Sequence, residues 1–160
     1  MRLGKFGLAV PLANAAITVL RIGALPVGFA ELRADATADG ARLLDVLEED
    51  WLDGRLCFDR PGEAFFAAMA GAALLGVCGL TRDPYTKSEG QGRVRRLYVR
   101  RSSRRNGAGR ALLEAVHGAA REAGFARLRV RAPASAFAFY ERCGFLRTVG
   151  EPSVTHLRAV

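Results

Sequence analysis

The chain has 160 residues, half of them apolar and a quarter charged, which suits one globular domain with a sizeable core and excludes a disordered polymer. Its net charge of +8 is local: Gly90 to Leu113 holds eight arginines (Arg93, Arg95, Arg96, Arg100, Arg101, Arg104, Arg105 and Arg110) and no acid, while the rest carries 16 basic against 16 acidic groups. A uniformly basic coat is thereby excluded, and the question becomes which anion that one block meets.

In chain order, Met1 to Ala16 has a basic start, a short apolar run and Ala13-Asn14-Ala15. Pro11 and Asn14 interrupt it, so it reads as an N-terminal extension and not as a secretory signal. Ile17 to Ile22 is β-branched and predicts a first strand. A helix is expected from about Ala38 to Trp51, with Ala41, Leu44, Leu47 and Trp51 on one stripe. Ala64 to Thr81 is 18 residues without a charge, the lower limit for a membrane span. Gly71, Gly76 and Gly79 dilute it, and Arg60-Pro61-Gly62-Glu63 and Asp83-Pro84 bracket it with turn chemistry. Two buried strands, Glu63 to Met69 and Ala73 to Thr81, account for it better.

After a turn region, Asp83 to Gly92, a fourth strand runs from Arg93 to Val99. A loop, Arg100 to Asn106, opens a helix from about Gly107 to Ala123, with Leu112, Leu113, Val116, Ala119, Ala120 and Ala123 on its apolar face. Gly124 is placed to stop it. Ala126 to Ala132 alternates strictly, Leu128, Val130 and Ala132 on one face and Arg127, Arg129 and Arg131 on the other, the period of a strand. A short helix from Ala134 to Arg142 ends at Gly144, and Leu146 to Val149 and Ser153 to Val160 predict two last strands. The whole, residues 1–160, reads as one mixed α/β domain with a β-loop-α-β unit at its centre.

Cys57, Cys78 and Cys143 are odd in number and far apart, and His117 and His156 are isolated. Neither a disulfide framework nor a metal site is indicated, and no Ser/His/Asp or Cys/His nucleophile arrangement is visible. A reduced, soluble, cytoplasmic protein is expected.

The chemistry concentrates in the β-loop-α junction. Unpaired N–H groups and the dipole at a helix start favour an anion, and Gly107 and Gly109 let backbone approach it. With arginines around it, this is a site for a phosphate or pyrophosphate. The Walker Gly-Lys-Ser/Thr and the dinucleotide Gly-x-Gly-x-x-Gly are both missing. In the strand before it, Val94 and Leu97 are apolar but three apart, which predicts a β-bulge that would leave backbone groups of Leu97 to Val99 unpaired.

These residues resemble the GNAT superfamily of acyl-CoA-dependent N-acyltransferases. Arg104-x-x-Gly107-x-Gly109 is similar to the family's pyrophosphate loop, Leu97-Tyr98-Val99 to the strand ahead of it, and Phe139-Tyr140-Glu141-x-x-Gly144-Phe145 to its late helix. The resemblance implies six or seven mainly antiparallel strands splayed at the centre, flanked by about four helices. It implies acetyl-CoA as cosubstrate, with no metal. Leu97, Tyr98, Val99, Arg104, Arg105, Asn106, Gly107, Ala108, Gly109 and Arg110 would bind it, and Tyr140 would protonate the leaving thiolate.

Two positions depart from the family. Arg93 stands near the usual glutamate base, and Pro133-Ala134 where an asparagine is common. Glu63, Asp83 and Glu89, at predicted strand ends, are the candidate substitutes, with a water relay as an equal alternative. The acceptor is expected to be an amine of a small molecule or peptide. Arg93, Arg95 and the Arg127/Arg129/Arg131 face raise the option of an acidic acceptor, although a solvated or dimer-interface arginine face is the plainer reading. No membrane and no nucleic acid partner is expected, and a homodimer is possible through the last strands. An acyl-CoA sensor without catalysis, and then a nucleic-acid-binding protein, are the alternatives.

Overall fold

The computed structural model describes residues 15–160, so the expected N-terminal extension lies outside the described residues as far as residue 14. Eleven elements follow: β1 (Ile17–Arg21), α1 (Phe29–Ala38), α2 (Leu43–Leu52), β2 (Ala64–Ala70), β3 (Ala73–Arg82), β4 (Gln91–Val99), α3 (Ala108–Glu122), β5 (Arg127–Val130), α4 (Phe137–Arg142), β6 (Leu146–Arg147) and β7 (His156–Ala159). Short 3-10 turns at Arg101–Ser103 and Ala134–Ala136 precede α3 and α4. The strands form one seven-stranded sheet in the order β1-β2-β3-β4-β5-β7-β6. Every pairing is antiparallel except β4 with β5, which α3 connects as a crossover helix. The expected mixed sheet of six to seven strands and about four helices is what the chain forms.

The uncharged stretch Ala64–Thr81 is the β2–β3 hairpin, turned at Gly71 with φ 58° and paired from Ala70↔Ala73 outward. Its lack of charge has a simple cause, since both faces of this hairpin are covered. Phe66, Ala68, Cys78 and Leu80 pack in one apolar cluster with Leu112, Leu113 and Val116 of α3. Phe65, Ala67, Leu74 and Val77 pack in the other with Phe29 and Leu32 of α1 and Leu44 and Leu47 of α2. Among the described residues, no helix is long and apolar enough to cross a membrane.

The expected helix from Ala38 to Trp51 is α2, which begins five residues later, and a further helix, α1, precedes it where none was expected. Gly40, at φ 77°, ends α1, and the Ala41 N–H returns to the Ala36 carbonyl at 2.9 Å, so the chain turns before α2 begins. The two last strands are shorter than expected, two and four residues.

The alternating arginines of β5 are not one solvated face. Arg127 and Arg131 are exposed, but Arg129 is buried. Its Nε donates to Asp83 Oδ2, and its Nη1 reaches Glu151 at 2.9 Å. Asp83 Oδ2 also takes Arg93 Nη1 at 3.4 Å, Asp83 Oδ1 accepts the Tyr85 N–H at 2.9 Å, and Arg93 Nη2 donates to the Ser153 carbonyl at 2.8 Å. The Asp83 side chain is fully buried, and those of Arg93 and Arg129 are 8% and 9% exposed. Arg93 and Arg129 are themselves register partners, the last pair that joins β4 to β5.

Removing one charge from such a buried set strands the others without compensation. Asp83→Ala is therefore expected to lower unfolding stability by about 3–5 kcal/mol, measured as a reduced urea midpoint at unchanged m-value.

Candidate active site

β4 carries the feature on which the site is built. Val77 pairs with Tyr98 and Gly79 with Arg95, so Cys78 faces two residues, Arg96 and Leu97. The expected bulge is present, and Arg96 takes the positive φ of 55° that it demands. The bulge is not what frees the backbone, however. Tyr98 and Val99 keep their partners on β3. The free edge is the other one: pairing with β5 stops at Arg93↔Arg129, while β4 runs on to Val99. From Val94 onward the two strands part, and the β5-facing edge of β4 lines the gap.

The α3 N-terminus stands at the end of that gap. Ala111 makes the first intrahelical bond, to the Gly107 carbonyl at 3.0 Å. The N–H groups of Gly109 and Arg110 precede it and have no partner within the helix. The Ala108 N–H meets only Asn106 Oδ1, at 3.4 Å. Arg105 and Gly107 have φ of 63° and 94°, and such left-handed residues turn successive N–H groups toward one point. The two glycines serve different ends. A Cβ at Gly107 would meet nothing within 4 Å, so its surroundings are open to a ligand. A Cβ at Gly109 would lie 3.0 Å from the Phe139 ring, so that glycine lets α4 pack against α3.

Most of the neighbouring arginines are already engaged. Arg104 donates from Nε to the Val99 carbonyl at 3.0 Å and from Nη2 to Asp39 at 2.7 Å. Arg101 pairs with Asp35, Arg96 with Asp50, and Arg110 donates to the Arg142 carbonyl at the end of α4. Among the described residues, Arg100 and Arg105 have no carboxylate within ion-pair distance. The Tyr98 side chain points away from the gap: its hydroxyl donates to Asp35 at 2.7 Å, and its ring lies in the α1/α2 cluster. The sequence singled out none of Asp35, Asp39 or Asp50. The available signal was the i, i+4 spacing of Asp35 and Asp39, which puts both carboxylates on one helix face.

Tyr140 lies on the α3 side, in the same apolar cluster as Leu97 and Val99. It is 5% exposed, with its ring edge-on to Phe139 and Phe145, both at 5.3 Å. Burial, and then the nearby Cys78 and Cys143, push its hydroxyl far above the usual tyrosine range, so it stays protonated at neutral pH. The three candidate bases separate. Asp83 is spent on two arginines, Glu89 is exposed on the β3–β4 connection, and Glu63 lines a cleft of about 590 Å³ on the α2 face together with Asp50, Arg60, Thr81 and Arg95.

A family model described as an acetyltransferase (GNAT) domain matches residues 32–160. A structure from Exiguobacterium sp. 255-15, assigned as an acetyltransferase, is similar at 26% identity with a TM-score of 0.80, over 90% of this chain and 93% of that one. A GNAT-family structure from Desulfovibrio desulfuricans has the same fold at 23% identity with a TM-score of 0.69, over 90% and 99% of the two chains. So does the GNAT acetyltransferase of Staphylococcus aureus Mu50, at 17% identity with a TM-score of 0.64, over 90% and 99%. No curated protein matches the chain in sequence.

Asp35 ties α1 to the start of the loop, accepting the Arg101 N–H at 3.0 Å beside the Tyr98 hydroxyl. Burial alone would raise its carboxyl, but the Arg101 N–H, the Tyr98 hydroxyl and the Arg101 charge more than offset this and hold it below the ordinary range. A depressed folded value means that the stabilisation is complete above the unfolded value of about 3.9 and fades as pH falls through the folded one. The stability gap between wild type and Asp35→Asn should thus be constant near neutral pH and shrink below about pH 4, measured by urea unfolding across a pH series.

Proposed function

This chain belongs to the GNAT acetyltransferase family, and from that premise we propose that it is an N-acetyltransferase, moving an acetyl group from acetyl-CoA to a primary amine of a small molecule or peptide by direct attack. The observation that carries this reading is the parting of β4 from β5 beside the N-terminus of α3. An unpaired strand edge accepts an extended chain of amides as an added strand, and a helix start accepts a pyrophosphate. The cofactor's two recognisable parts would thus meet two matching surfaces, joined by the loop that follows Val99.

Acetyl-CoA supplies the activated acyl group as a thioester. The N–H groups from Arg105 to Arg110 hold the pyrophosphate, and Arg105, free of a carboxylate, adds charge. Arg104 acts indirectly: bound to the Val99 carbonyl and to Asp39, it fixes the loop relative to the strand. The free edge of Leu97 to Val99 orients the pantetheine arm and offers an N–H to the acyl carbonyl. Tyr140, protonated and enclosed, gives its proton to the sulfur as the C–S bond breaks. The proton lost by the amine leaves through water toward Glu63, because Arg93 occupies the place of the family's carboxylate. The free state of Cys57, Cys78 and Cys143 supports a reducing compartment, and the cytoplasm is the site of action we favour.

Arg93 in that place is also the observation that favours a second reading, a regulatory module that binds acyl-CoA without turning it over. Thiol release measured across a panel of amines, together with CoA titration, separates the two: tight CoA binding with no turnover would support the module. Duplex DNA at moderate salt is the control, and binding there without CoA binding would overturn both.

Tyr140→Phe should lower kcat by roughly 100-fold or more and leave CoA affinity within about twofold, whereas equal losses in both would indicate a packing role. Arg105→Glu, an exposed change on the nest, should weaken CoA at least about tenfold without altering thermal stability, as read by calorimetry.

A further inference from the structure

The cleft of about 590 Å³ on the α2 face has an unbalanced charge. Its walls come from the end of α2 and the connection after it (Asp50, Arg55, Arg60, Glu63), and its floor from Thr81 and Arg95. Of the two acids, Asp50 is ion-paired and, among the described residues, Glu63 is not, and the four lining arginines outnumber the acids by two. Asp50 takes Arg55 at 3.0 Å and Arg96 at 3.3 Å, and Glu63 accepts the Arg60 backbone N–H at 3.3 Å. Arg82, also at the rim, turns its guanidinium toward the Phe125 ring at 5.7 Å on the other face of the sheet. That leaves two cations.

Arg60 uses only its backbone. Arg95, half-buried, has no carboxylate within ion-pair distance among the described residues; its one partner is the Thr81 hydroxyl, at 3.4 Å. Burial, and then the neighbouring Arg96, push the Arg95 guanidinium down from its ordinary value. The flanking arginines solve the same problem differently, Arg93 with Asp83 and Arg96 with Asp50. Of these three, Arg95 is the one with no direct carboxylate partner among the described residues, and Asp50, already bound to Arg55 and Arg96, acts on it only at longer range.

Its position gives that charge a use. Val94 faces the α3 cluster, so Arg95, the next residue, faces the α2 side. It is the second residue of β4 past the parting from β5 and lies at most about 7 Å along the strand from Leu97. Arg95 thus places a guanidinium on the α2 side of the strand whose other edge lines the gap.

We propose that this cleft seats an oxyanion carried by the acceptor amine, a carboxylate or a phosphate, with Arg95 as its principal contact and Arg60 at the rim. The inference rests on the acyltransferase reading and narrows its acceptor to amines that also bear an anion. Guanidinium is suited to both groups, since its fork of donors matches two oxygens at once. The anion would fill the half of the Arg95 donor set that Thr81 leaves open.

The test pairs acceptors that differ only in charge: the protein amino acids against their amides, and aminoalkyl phosphates against the corresponding amino alcohols. The same pairs, as N-acetyl products, are titrated into the CoA-loaded protein by calorimetry, which needs no turnover. Anionic members should be preferred by roughly 10- to 100-fold in kcat/KM or Kd, and Arg95→Gln should erase that preference while CoA affinity and Tm hold or rise. Preference among carboxylates or among phosphates then identifies the source of the anion. Equal use or equal binding of neutral members would overturn the anion site and leave the acyltransferase reading standing, as would an Arg95→Gln protein that keeps the preference. Failure of CoA itself to bind is read separately and strikes the acyltransferase reading first.

Discussion

Asp83, buried between Arg93 and Arg129, holds together the point where the sheet stops being a sheet. Below that rung β4 and β5 are ordinary parallel partners; above it they separate, and six residues of β4 run on with one edge unpaired. Two strands whose hydrogen bonds simply stop would be expected to zip further or to fray, because an unpaired edge inside a domain leaves backbone donors and acceptors without partners. A carboxylate shared by one arginine from each strand fixes the distance between them at the last rung. The desolvation of three charges is offset only because Tyr85, Ser153 and Glu151 supply further bonds to the same groups. The gap therefore begins at that clamp, and the start of α3 stands at its far end.

The cluster of eight arginines takes on a different meaning in three dimensions. Read along the chain, it marks one strand, loop and helix start and suggests a ligand of high negative charge. In the fold most of it is scaffolding, since Arg93, Arg96, Arg101 and Arg104 each meet an aspartate and Arg110 meets the end of α4. The aspartates come from positions 35 to 50 and from 83, so the neutral remainder of the chain holds the counter-charges. A sequence shows the sign and density of charge but not these long-range pairings, which is why the block looked like a ligand site throughout.

Local signals carried well and distant ones did not. The period-two pattern of β5, the apolar stripe of α3, the three-residue spacing of Val94 and Leu97 and the glycines of the loop each correspond to a feature of the fold, because each depends on neighbours in the chain. The helix α1 is not evident from the sequence although Phe29, Leu32 and Ala36 mark its buried stripe, because its polar residues are scattered around a short span and Gly40 alone does not distinguish a helix stop from a loop. Gly109 had a visible requirement for a small residue but the wrong cause attached, since Phe139 lies thirty positions away. The arginines of β5 were placed on the correct face, yet the burial of Arg129 depends on Asp83 and Glu151, which nothing local announces.

The same distribution of charge bears on how the proposed reaction could proceed with an arginine where a carboxylate base is usual. An amine attacks only when unprotonated, and a nearby cation disfavours its ammonium form just as a carboxylate favours it. In a cleft lined by four arginines and two acids, one positive charge remains in excess after an anion is seated, and it would lower the proton affinity of an amine bound there. That field would repel a simple cation, so it is productive only for an acceptor bound by a second, negative group. On the proposed reading the two arginines of β4 divide the work: Arg93 is committed to the clamp, and Arg95 would hold the acceptor's anion. Glu63, which lines the same cleft, would then receive the proton that the amine gives up.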